Sequence, residues 1–97
     1  MTYSFHPEAE TELLEAFAFY RDEGGVAIAR LFLNEVGRVA DLLVANPGFG
    51  TPVGGARRSY PLRRFPYSLI YRPSSEGIRI LVVGHQHRRP GFWRSRR

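Results

Sequence analysis

The chain has 97 residues, 14 arginines, no lysine, nine acidic residues and a formal net charge of +5. One domain is the ceiling at this length: a single core closes, burying roughly 60–70% of the surface of the unfolded chain, and no room is left for a second. The charge is split along the chain, with three Arg against eight acids in residues 1–50 (net −5) and eleven Arg against Glu76 alone in residues 51–97 (net +10). The basic half is where a polyanion or an acidic partner would bind. With no cysteine there is no disulfide, no thiolate metal site and no thiol nucleophile, as in proteins of a reducing cytosol. No apolar run approaches the roughly 20 residues of a membrane span, and the N-terminus lacks a signal-peptide pattern, so the expected location is the cytoplasm. Twelve Phe and Tyr within a 43% hydrophobic composition exclude a disordered chain.

Residues 2–6, Thr2-Tyr3-Ser4-Phe5-His6, alternate aromatic and polar side chains and read as a short strand with one buried face. Pro7 suits the first turn of a helix, and Glu8, Glu10 and Glu12 favour its positive end as a solvated acidic face. Ala9, Leu13, Ala16, Phe17 and Tyr20 repeat at helical spacing up to Gly24-Gly25, a two-glycine turn. A second helix follows, with Ile28, Phe32, Val36, Val39 and Leu43 on one stripe and Leu31, Leu33, Ala40 and Leu42 widening it. A helix apolar over that much of its circumference calls for cover on more than one side. Together, residues 8–45 form an antiparallel helical hairpin.

Residues 46–56 carry four Gly and two Pro and are predicted to be a loop. From 57 to 85 the period changes to two. Tyr60 and Leu62 mark one strand, Tyr67, Leu69 and Tyr71 share a face of a second, and Ile78, Ile80 and Val82 alternate with Arg79, Leu81 and Val83 in a third. Pro61 and Pro66 belong at an edge or bend. Residues 86–97 form a basic tail that Phe92 and Trp93 can pin to the body. The order β-α-α-β-β-β is an α+β arrangement: a helical hairpin on one face of a small, mostly antiparallel sheet.

The chemistry-bearing residues concentrate in the second half. Arg57, Arg58, Arg63 and Arg64 surround one strand, and His85, His87, Arg88 and Arg89 follow another. If those strands are neighbours, the groups converge. Guanidiniums clamp phosphates and carboxylates bidentately, and an imidazole near neutrality can act as acid or base. Two readings stay open: phosphodiester chemistry, or a face that binds an acidic partner, with His85 a structural residue at a strand end. Tyr67 and Tyr71 are assigned to the core. No carboxylate pair, phosphate loop, metal-ligand spacing or serine triad occurs in the basic half, and no cofactor is implied.

Three groups of residues also carry a family resemblance. Phe5-His6-Pro7-Glu8-Ala9, with Glu12-Leu13, Ala16 and Tyr20, is followed by Asn46-Pro47 and Gly50 and by Leu62-Arg63-Arg64-Phe65-Pro66-Tyr67-Ser68-Leu69-Ile70-Tyr71; the third group is His85-Gln86-His87-Arg88-Arg89-Pro90 with Trp93. In that order, over nearly the whole chain, they resemble the RelE/ParE superfamily of toxins from bacterial type II toxin–antitoxin modules. The resemblance implies a compact α+β fold and a cognate antitoxin whose acidic or amphipathic C-terminal segment wraps and neutralises the toxin, in an apolar groove beside the hairpin and on the arginines. For a ParE-like member it implies growth arrest by binding DNA gyrase, with Arg57, Arg58, Arg63, Arg64, Arg88, Arg89 and Trp93 meeting target or antitoxin. For a RelE-like member it implies ribosome-dependent cleavage of messenger RNA, with His85 or His87 as acid or base and Arg57, Arg63 and Arg64 around the phosphate. The chain has no Lys on the sheet, no Tyr in the tail and no acid near the histidines in sequence, which places it nearer the ParE-like branch. A non-toxic basic nucleic-acid-binding module is the third reading.

Overall fold

The computed structural model describes residues 2–87 and 91–97. Five strands form one sheet: β1 (Thr2–Phe5), β2 (Thr51–Gly54), β3 (Arg57–Pro61), β4 (Tyr67–Ser74) and β5 (Gly77–His85). Their spatial order is β1-β5-β4-β3-β2. Only the β1–β5 pair is parallel. The helices α1 (Pro7–Gly24) and α2 (Val26–Ala45) cover one face.

The helix ends follow from local chemistry. His6 caps α1 by accepting the Glu8 N–H at Nδ1 (3.1 Å), and Pro7 occupies a first-turn position where no N–H is needed. The expected two-glycine turn is tighter than that. Gly24 stays helical, and Gly25 alone, at φ +88°, reverses the chain.

The main core lies between the hairpin and the sheet, with Phe32, Val36, Val39 and Leu43 of α2 against Leu69, Tyr71, Ile78, Ile80 and Val83. Tyr20, Phe32, Phe65 and Tyr67 stack edge-on or tilted, with ring centroids 4.9–6.1 Å apart. A second, smaller cluster of Leu81, Val82 and Trp93 occupies the opposite face of the sheet, so the tail crosses the back of the sheet as Phe92 and Trp93 foreshadow.

Four expectations are corrected. The segment 46–56 is not all loop: Thr51–Gly54 pairs antiparallel with β3, because Gly55 and Ala56 (both φ +60°) form a two-residue hairpin turn. As an edge strand, β2 tolerates Pro52. The regular alternation along 78–83 breaks at a β-bulge. Ile70 pairs with Val82 and Tyr71 with Ile80, leaving Leu81 as the extra residue. The parity flips there, so Val83 joins the main core and Val82 the back cluster. The wide apolar stripe of α2 is covered on one side only, with Val26, Ile28, Leu31 and Leu33 exposed. Glu12 is not part of a solvated face; it is buried against Arg96.

Candidate functional site

The Arg63–Phe65 turn and the His85–His87 segment share one end of the sheet. Tyr67, first residue of β4, pairs with His85, last residue of β5, and the Gln86 N–H donates to the Pro66 carbonyl. The rings of His85 and Tyr67 meet edge-on at 5.3 Å, and the two imidazoles lie 5.2 Å apart. Both histidines are exposed, and His85 Nδ1 accepts the His87 N–H (3.2 Å). A shallow groove of about 230 Å³ contains His85 together with Tyr67, Glu15 and Phe19. Chain reversal thus brings an acid of α1 beside a histidine 70 positions away in the sequence. Burial, with a smaller effect from the Glu15 charge, raises the Tyr67 phenol above its ordinary range, so it stays protonated at neutral pH.

A second recess, about 300 Å³, lies between α2 and the β3–β4 connection, lined by Leu31, Asn34, Arg38, Arg63, Arg64 and Phe65. Glu35 organises it. Its carboxylate accepts a bidentate pair from Arg38 (2.7 and 2.8 Å) and the Arg63 backbone N–H (2.6 Å), tying the turn to the helix. The Arg38 hydrogen bonds, outweighing partial burial, hold the Glu35 carboxyl below its ordinary value. The side chains of Arg63 and Arg64 are exposed.

Arg57 and Arg58 lie at the far end of β3, and β4 separates that strand from β5, so the full convergence of basic groups does not occur. Arg57 faces the tail. Its Nη2 donates to the carbonyls of Arg94 (3.0 Å) and Arg96 (3.2 Å), and its guanidinium lies 5.5 Å from the centre of the Trp93 ring. Arg58 faces the other way and donates to the Gly50 carbonyl (2.7 Å), beside Tyr71, whose hydroxyl donates to Pro47 O (2.6 Å) and accepts the Gly50 N–H (2.9 Å). Trp93 is buried in the back cluster. Arg88 and Arg89 lie outside the described residues.

Two structural positions escape a reading of the sequence. Glu12 and Arg96, 84 residues apart, form a buried bidentate pair (2.8 and 3.0 Å). The pair also serves the free edge of β5 beyond β1: Glu12 accepts the Val83 N–H (3.1 Å) and Arg96 donates to the Leu81 carbonyl (3.0 Å). No spacing rule links a helix acid to a terminal Arg.

Residues 3–90 match the model of the family described as ParE toxin of type II toxin-antitoxin system, parDE. The chain belongs to the ParE toxin family. Toxin ParE2 of Mycobacterium tuberculosis, from strains CDC 1551 / Oshkosh and ATCC 25618 / H37Rv, is 34% identical over 85 residues, 88% of this chain and 81% of the relative. Among solved structures, a chain of the chromosomal ParDE toxin–antitoxin system from P. aeruginosa superposes with a TM-score of 0.74 at 24% identity, over 88% of this chain and 95% of that one. That structural likeness agrees with the hairpin-on-sheet fold. No helix among the described residues of this ParE-family chain is long and apolar enough to cross a membrane.

Proposed function

We propose that this chain arrests growth as the toxin of a type II module by binding DNA gyrase in the cytoplasm, and that a cognate antitoxin with an acidic or amphipathic C-terminal segment neutralises it. The ParE family match over residues 3–90 carries the reading. The surface agrees with it. Leu31 of α2 is 47% exposed and borders the recess that Arg63 and Arg64 line, an apolar-plus-cationic surface that suits a protein segment. Purified toxin is expected to inhibit gyrase supercoiling or trap cleaved DNA, and addition of the protein encoded beside the gene should reverse the effect. No inhibition at high toxin excess would overturn the gyrase reading.

A second reading, ribosome-dependent endoribonuclease, rests on the groove that places Glu15 and Tyr67 with His85. There, His85→Ala or His87→Ala would abolish messenger cleavage on ribosomes and leave ribosome binding intact. A cleavage pattern unchanged in both variants removes the histidines from the chemistry.

A further inference from the structure

The back of the sheet, opposite the hairpin, carries a row of arginines that lies outside both grooves. Tyr71 and Ile80 belong to the main core, so their neighbours Arg72 and Arg79 take the opposite face, where they pair directly across β4 and β5. The bulge at Leu81 makes that pair: without the shift, the register of Tyr67 to Ile70 would set Arg72 opposite Ile80. Arg57 extends the row on β3, one residue before Arg58, whose partner is Tyr71, and its side chain meets the tail on the same face. Adjacent strands are about 4.8 Å apart, so the three positions span about 10 Å. The tail brings Arg94 and Arg97, both exposed, to this face: Arg57 bonds the Arg94 carbonyl, and Arg79 reaches the main-chain oxygen of Arg97 (3.4 Å). Like charges directly opposite each other destabilise a sheet. Yet no Asp or Glu side chain pairs with Arg57, Arg72 or Arg79 among the described residues. Arg72 makes one long hydrogen bond, to the Pro73 carbonyl (3.4 Å), and Arg79 donates to the Phe5 carbonyl (3.2 Å) and the Ser4 hydroxyl (3.3 Å). A pair that opposes the stability of its own sheet marks a place where function has overridden a local rule.

We propose that Arg72 and Arg79, flanked by Arg57 and the tail arginines, form a binding site for the phosphodiester backbone of duplex DNA. Guanidiniums and hydroxyls are the groups that hold phosphates, and Ser4, exposed and opposite Arg79, supplies a hydroxyl beside the row. A protein segment needs an apolar anchor, which this face does not offer. Its apolar residues Ile70, Leu81 and Val82 are packed with Trp93, and the large exposed apolar side chains belong to the helices, to the core side of β1 and to the loop at Phe49. The choice of DNA rests on the gyrase reading and deepens it: the toxin touches the DNA that its target holds as well as the target itself.

The test uses the full chain and a short fluorescein-labelled DNA duplex, read by anisotropy over a series of salt concentrations, with a polyglutamate peptide and a single-stranded RNA as further probes. Arg72→Glu places an acid opposite Arg79, so it should melt at or above the wild-type temperature and bind the duplex at least about tenfold more weakly. Arg72→Ala should lower the slope of log affinity against log salt by about one, the share of a single phosphate contact. Arg30→Ala, which removes an exposed arginine of α2 on the other side of the molecule, should leave affinity and slope unchanged. Wild-type DNA affinity in a folded Arg72→Glu overturns the proposal, as does an equal loss in Arg30→Ala. Polyglutamate that binds as tightly as the duplex and depends equally on Arg72 overturns it in favour of an acidic protein ligand, and RNA bound more tightly than the duplex through Arg72 overturns the choice of DNA. If the wild type inhibits gyrase and Arg72→Glu inhibits it equally, the DNA site fails and the gyrase reading stands. If the wild type binds the duplex through Arg72 and leaves gyrase untouched at high excess, the site stands and the gyrase reading fails.

Discussion

Glu12 and Arg96 complete the sheet with side chains where β1 has ended: one accepts the Val83 N–H, the other donates to the Leu81 carbonyl, and Arg96 pairs with both Glu12 and the exposed Glu8. Arg96→Ala removes a bidentate cation from a buried carboxylate, and the expected loss is about 3 kcal/mol of unfolding free energy, measurable by urea denaturation. A loss within ±0.5 kcal/mol, the usual range for surface sites, would show that the pair is solvated in solution. Glu35 gives a pH signature. Its folded carboxyl titrates below the ordinary 4.5, so its contribution to stability is complete above that value and drains as the pH falls through the folded pKa. The stability difference between wild type and Glu35→Gln should therefore shrink on acidification below 4.5, and a constant difference would contradict the Arg38 pairing. Residue types announced some of these roles and concealed others. Arg58 and Arg57 read as a basic patch, yet both spend hydrogen bonds on backbone carbonyls, a use that depends on which loop the fold brings within reach.

At the level of elements, β1 joins the sheet through a contact that only glycine allows. Gly77, opposite Thr2, has φ +146°, and a Cβ there would run into the Thr2 carbonyl. Gly77→Ala should detach β1 from β5 at a cost of about 2–3 kcal/mol, visible as fast hydrogen exchange at His6, whose N–H donates to Ile80 O. Retained protection in a folded variant would mean that the β4–β5 turn can move to admit the methyl group. The hairpin was legible in the sequence because α1 and α2 each carry a regular helical stripe and a glycine reverses the chain between them. The bulge at Leu81 was not, because all residues from Ile80 to Val83 are apolar and their identities do not reveal which face each one takes. Strand β2 escaped for a related reason: with two Gly or Pro residues in four, its backbone pairing depends on β3 more than on its own side chains.

Across the whole molecule, the basic half does not act as one surface. The tail returns across the back of the sheet, where Arg57 and Arg96 hold it from opposite sides and bury Trp93. The chain has a single tryptophan, so its fluorescence reports tail docking directly. Arg57→Ala should red-shift that emission and render the tail protease-sensitive while the hairpin-on-sheet core stays folded; an unshifted spectrum would show that the apolar cluster alone holds the tail. The candidate site was legible in part. The Arg-Phe-Pro-Tyr run and the histidines do meet at one end of the sheet, through the Tyr67–His85 pairing, while Arg57 and Arg58 lie at the other end of β3. The sequence by itself determined the two helices, the core strands and the α+β order, because hydrophobic period and turn chemistry are local and act within a few residues; the resemblance to ParE-type toxins came separately, from the residue motifs quoted for it. Tertiary structure alone decided that Glu12 meets Arg96, that Glu35 holds the Arg63 turn and that the arginines divide between two ends and two faces. Those outcomes depend on groups far apart in the chain finding partners once water is excluded, and such pairings leave no periodic trace in the sequence.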